Sequence, residues 1–82
     1  MYDRICFAIF GSTNKVLKAE KTLKKNSIPF KLLPTPKKLA AYCDIAIVFN
    51  ESKIIDVKNA LDNANIKVKA YYIKEGEDYA QV

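Results

Sequence analysis

The chain has 82 residues, half of them hydrophobic, and its 14 basic and 9 acidic side chains give a net charge of +5. This length supports one domain, and the charged content of 28% is ordinary for a globular protein and argues against disorder. Two cysteines are too few for a disulfide scaffold. Because histidine is absent, we also exclude a Cys–His nucleophile pair and a structural zinc site, and we predict no metal or cofactor.

The first half of the chain predicts a strand, a helix and a second strand. Residues 2–10 are apolar at alternating positions on both faces, which is typical of an interior strand. Ser12 or Thr13 is a good N-cap for the helix predicted over residues 14–26, whose apolar stripe is flanked by lysines. Residues 29–33 form the second predicted strand.

The second half repeats this pattern after a proline-rich turn. The predicted elements are a short helical turn at 37–42, a strand at 45–49, a helix from Asn50 or Ser52 to about residue 65, and a strand at 67–73. Thr35 is placed to cap the short turn, with Pro36 at its first position. We predict one domain over residues 1–74 and a frayed acidic tail over 75–82.

The order of these elements favours an α+β fold of the ferredoxin-like, split βαβ kind. Right-handed crossovers give a four-stranded antiparallel sheet of order 4-1-3-2 with both helices on one face. The alternative is a small open α/β sheet with another strand order. Phe10, Val48 and Tyr72 are predicted on the uncovered face, which would favour a homodimer.

The two cysteines occupy different settings in the sequence. Cys6 lies inside an apolar strand and is predicted to be a core residue. Cys43 lies where a loop meets a strand, with Lys37 and Lys38 nearby to favour the thiolate and Asp44 beside it to oppose it. From the residues alone, both a reactive thiol and a packed one remain open.

The basic residues suggest anion binding only weakly. Five lysines on the first helix could contact phosphates, but there is no RNP-type signature and one arginine, so a solvated helix face is favoured over nucleic-acid binding. Ser12 and Thr13 at a strand–helix junction could hold an anion, although a plain helix cap is the preferred interpretation. No apolar run resembles a secretory or membrane-spanning segment.

A longer pattern is more specific than any of these features. It comprises F-G-S-T at 10–13, A-E-K at 19–21, L-K at 23–24, I-P-F-K-L-L-P-T-P-K-K-L at 28–39, and Cys43. This pattern resembles the small bacterial DUF3343 family, described as selenium/sulfur carrier-like proteins. The family pattern has P-T-P-R, two small hydroxyl residues and Cys-Gly, where this chain has Lys37, Ala40-Ala41 and Asp44.

The resemblance implies a cytoplasmic carrier that is not an enzyme and needs no cofactor. Cys43 would accept sulfur or selenium, Lys37 and Lys38 would stabilise its thiolate, and Thr35 and Pro36 would shape the turn presenting it. Its partners would be donor and acceptor proteins. The alternatives are a non-catalytic interaction or dimerisation module in which Cys43 is structural, and a weak nucleic-acid binder acting through the lysine-rich helix.

Overall fold

The computed structural model describes residues 4–39 and 45–82. Their elements are β1 (Ile5–Ile9), α1 (Thr13–Lys25), β2 (Lys31–Pro34), a first 3₁₀ turn (Lys37–Leu39), β3 (Ile45–Asn50), a second 3₁₀ turn (Glu51–Lys53), α2 (Ile54–Asn63), β4 (Ala70–Glu75) and β5 (Asp78–Gln81). The strands form one sheet of order β2-β3-β1-β4-β5 in which every neighbouring pair is antiparallel. The predicted α+β class with two helices and an antiparallel sheet is confirmed.

The prediction of four strands is wrong, because the sheet has a fifth. β5 lies within the segment predicted to fray, residues 75–82, and pairs with β4 from Glu75↔Asp78 to Tyr72↔Gln81. Gly76, with φ of +62°, allows the tight turn between the two strands. This strand has only four residues, and main-chain pairing joins it to its neighbour, so hydrophobic periodicity could not reveal it.

One face of the sheet packs against both helices. Its core comprises Cys6, Ala8, Phe10, Val16, Ala19, Leu23, Ile47, Phe49, Val57, Ala60, Leu61 and Ile73. Cys6 is fully buried there, which confirms it as a core residue. Phe10 also belongs to this face, so its predicted place on the opposite face is wrong. The alternation along β1 puts residues 6, 8 and 10 on one side.

The opposite face of the sheet, the second face, is not the open apolar surface that the sequence predicted. Phe7, Ile9, Ala46 and Val48 are buried there in a second cluster, together with Leu39 from the first 3₁₀ turn. Partly buried tyrosines of β4 and β5 pack against this cluster. The predicted homodimer rested on an uncovered apolar face, which the described residues do not show.

The ends of the helices explain their bounds. The Ser12 hydroxyl accepts a hydrogen bond from the Lys15 main-chain nitrogen at 3.3 Å and so caps α1, as predicted. The second helix begins as a 3₁₀ turn at Glu51, and Asn50 makes no side-chain capping bond. Asn65, with φ of +58°, lies beyond the end of α2. Neither described helix has the length and apolarity needed to cross a membrane.

Candidate functional site

The structure describes the segments on either side of the candidate carrier residue, Cys43. Cys43 lies outside the described residues, as does the predicted helical continuation over 40–42 and the neighbouring Asp44. The structure describes the chain up to Leu39 and again from Ile45, where β3 begins. These two segments border the position of Cys43 in the sequence.

Strand pairing holds the two ends of the connecting segment together. In the antiparallel pair of β2 and β3, Pro34 lies opposite Ile45. The ten residues between them therefore leave and re-enter the sheet at neighbouring positions. Cys43 stands two positions before Ile45 in the sequence.

The first 3₁₀ turn fastens the leading flank to the sheet. The Leu39 main-chain nitrogen donates to the Pro36 carbonyl at 2.8 Å, which closes the turn. The Leu39 side chain is only 8% exposed and packs into the second-face cluster. The segment that precedes Cys43 is thus anchored by a buried leucine.

Thr35 does not cap this turn in the way the sequence predicted. Its hydroxyl oxygen is buried and has no hydrogen-bond partner in the part of the chain that the structure describes. A buried hydroxyl without a partner loses its hydration and gains nothing in exchange. Pro36 supplies the carbonyl that closes the turn, and Thr35 is the residue that precedes it.

The two predicted charge-stabilising lysines differ in their contacts. Lys37 is exposed and forms no ion pair among the described residues. The Lys38 ammonium lies 3.2 Å from the Asp78 carboxylate and donates to the Glu77 carbonyl at 3.1 Å. Part of the positive charge of Lys38 is therefore already balanced by the hairpin of β4 and β5.

A further lysine, missed in the sequence, lies close to the same turn. Lys69 lines a cavity of about 230 Å³ together with Lys38, Leu39 and Ile9. Its main-chain nitrogen donates to the Ile9 carbonyl at 2.8 Å, which fixes its position beside the end of β1. No local signal marked Lys69, because only the pairing of β4 with β1 brings it here.

Ser12 and Thr13, the weaker predicted anion-binding residues, belong to the start of α1. The Ser12 hydroxyl is engaged as the helix cap, and Thr13 is the first residue of the helix. Neither lines the cavity beside the first 3₁₀ turn. Their described contacts fit the cap, the interpretation that the sequence preferred.

The chain has only one other thiol, and it is unsuited to chemistry. Burial is the main cause that raises the pKa of Cys6, and the nearby Glu51 carboxylate raises it further. A buried neutral thiol is neither a good nucleophile nor accessible to a partner. Within the described residues, no group of three or more acidic or cysteine side chains could hold a metal ion.

Comparison with known proteins finds one match. A family model described as "Putative Se/S carrier protein-like" matches residues 5–73, a span that contains both flanks and Cys43 and ends before β5. Searches of curated proteins and of solved structures give no match.

Proposed function

Because the chain belongs to the Se/S carrier-like family DUF3343, we propose that it carries sulfur or selenium on Cys43. The observation that carries the proposal is the family match over residues 5–73. The burial of Cys6 supports it, since Cys43 is then the thiol left to react.

The transfer step needs only a thiolate and a donor persulfide. The Cys43 thiolate attacks the outer, sulfane sulfur of a donor R–S–SH, forming a new S–S bond while the donor's S–S bond breaks. The products are the Cys43 persulfide and the donor thiolate R–S⁻, so atoms and electrons balance without a further oxidant. A selenium donor would give a selenosulfide in the same way.

Positive charge around the first 3₁₀ turn supports a thiolate there. Lys37 is exposed on the turn itself, and Lys69 joins Lys38 around the neighbouring cavity. Cations near a thiol lower its pKa and increase the reactive thiolate fraction. Lys37 is a stronger candidate for this role than Lys38, because the ammonium of Lys38 is paired with the Asp78 carboxylate.

On this proposal the protein is a carrier rather than an enzyme. Acceptance of sulfur by a thiolate requires no general base, in keeping with a chain that has no histidine. The excess of basic side chains would favour donor and acceptor proteins with acidic docking surfaces. A persulfide carrier with free thiols would belong in the reducing cytoplasm.

The test is sulfur loading of the purified protein. The protein is reduced, treated with glutathione persulfide at several pH values, and digested so that the peptides of Cys43 and Cys6 are read separately by mass spectrometry. We expect one added sulfur on Cys43, none on Cys6, and an apparent pKa for loading below the unperturbed value of about 8.5. The Cys43→Ser variant should not load.

Three results would contradict the proposal. They are an absence of added sulfur on Cys43, equal loading of Cys6, and an apparent pKa at or above that of a free cysteine. Failure of loading in a folded protein would favour the interaction module in which Cys43 is structural. Lys37→Gln should raise the loading pKa, whereas Lys21→Gln, an exposed lysine on α1, should leave it unchanged.

A further inference from the structure

One cavity formed by the described residues lies away from the first 3₁₀ turn. It has a volume of about 700 Å³ and is bounded by α1, the segment after α2 and β4. Small-molecule sites in proteins commonly range from about 300 to 1,000 Å³. We call it the lysine cleft, after Lys15, Lys18 and Lys67 in its lining.

Positive charge dominates this cleft. Lys15 and Lys18 lie three residues apart on α1 and therefore share a helix face, and Lys67 comes from the segment after α2. None of these lysines forms an ion pair among the described residues. Asp62 is the acidic residue in the lining, so a net positive charge remains for a ligand to balance.

The start of α1 adds to this positive field. The first turn of α1 contains no acidic side chain, although acidic residues there would stabilise the helix dipole. Instead Lys15 lies near the N-terminal end, and its ammonium is 3.8 Å from the point where a Cβ on Gly11 would lie. A lysine at this end of α1 is unfavourable for the helix alone, because it repels the positive end of the helix dipole, and the same charge is favourable for a bound anion.

The other wall of the cleft is largely apolar, with the Asp62 carboxylate near Tyr71. It includes Ile66, Val68 and the half-buried Tyr71. Burial, with a smaller effect from the Asp62 carboxylate, raises the pKa of Tyr71 to about 12. The phenol therefore stays neutral at physiological pH and does not repel an anion. A ligand that fits both walls has an anionic head and a small organic body.

We propose that the lysine cleft binds a small phosphorylated molecule. Its phosphate lies among Lys15, Lys18 and Lys67, and its organic group packs against Ile66 and Tyr71. Phosphate is an anion well matched by several lysine side chains around one cleft. The lining of this cleft includes no residue of the first 3₁₀ turn, and the proposal does not depend on the sulfur-carrier proposal.

The experiment is an NMR titration of the ¹⁵N-labelled protein with phenyl phosphate, compared with inorganic phosphate and with phenol. We expect saturable amide shifts at residues lining the cleft, strongest with phenyl phosphate, weaker with inorganic phosphate and absent with phenol. The Lys15→Gln/Lys67→Gln variant should bind about tenfold more weakly, since two charge-assisted hydrogen bonds are removed. Asp62→Asn should bind about threefold more tightly, because a repelling charge is lost.

The matched control is Lys21→Gln/Lys31→Gln, which removes the same charge from exposed positions outside the cleft. We expect its affinity to stay within about twofold of the unaltered protein. The proposal is overturned if no probe gives saturable shifts, or if both double variants lose affinity equally, which would indicate diffuse attraction. Saturable binding of a single-stranded oligonucleotide without binding of phenyl phosphate would also overturn it.

Discussion

At the scale of single residues, the turn that precedes Cys43 contains an unusual hydroxyl. Thr35 is part of the P-T-P segment shared with the family pattern, yet its buried oxygen has no hydrogen-bond partner among the described residues. Retaining a buried polar atom without a partner costs stability.

Replacing this hydroxyl by a methyl group measures that cost. Thr35→Val should raise the free energy of unfolding by up to about 1 kcal/mol, because the side-chain shape is kept and the unsatisfied oxygen is removed. Urea unfolding followed by circular dichroism gives the value. Thr22→Val is the matched control: the Thr22 hydroxyl donates to the Lys18 carbonyl at 3.0 Å, so its loss should not stabilise. A destabilised Thr35→Val protein would contradict the expectation.

At the scale of elements, β5 is the addition that the sequence did not reveal. It lies beyond the span matched by the family model, pairs with β4 and contributes Tyr79 to the second face. The Tyr79 ring meets the Phe7 ring edge-on, with centroids 5.5 Å apart. Asp78 of the same strand holds Lys38 of the first 3₁₀ turn. The C-terminal hairpin thus supports the sheet face on which the first 3₁₀ turn is anchored.

Truncating the aromatic side chain tests this support. Tyr79→Ala should lower the free energy of unfolding by about 2 kcal/mol, less than for a fully buried aromatic, since Tyr79 is half-buried. Glu77→Ala, at an exposed position whose described contact is through its carbonyl, should change it by less than about 0.5 kcal/mol. Chemical denaturation of both variants makes the comparison. Equal effects would show that Tyr79 adds nothing to the second face.

At the scale of the whole molecule, the second face decides the expected oligomeric state. With Phe7, Ile9 and Val48 buried within one chain, that face has little apolar surface left for a partner copy. Stable dimers commonly bury about 800 Å² on each subunit. We therefore expect a monomer of 9.3 kDa in sedimentation equilibrium at micromolar concentration. A mass twice as large would point instead to the edge of β2, where Leu32 and Leu33 are exposed.

Much of the fold could be read from the sequence, and the site could be read in part. The apolar stripe predicted for the first helix is fully buried at Val16, Ala19 and Leu23, and Ser12 caps the helix. The strand order 4-1-3-2 is present in the observed sheet with β5 added beyond β4. Helix α2 and strand β4 have shifted bounds, because local propensity does not fix where a 3₁₀ turn or a loop takes over.

What the sequence determined by itself depends on local patterns: the class of fold, the cap of α1, the core role of Cys6, and the family pattern that singles out Cys43. Only the tertiary structure decided that Leu39 packs on the second face and that Asp78 forms an ion pair with Lys38. It also decided that Lys69 and Lys67 lie beside residues distant in sequence. The physical reason is that periodicity and capping act over neighbouring residues. Main-chain pairing between β4, β1 and β5 instead brings together side chains that share no local signal.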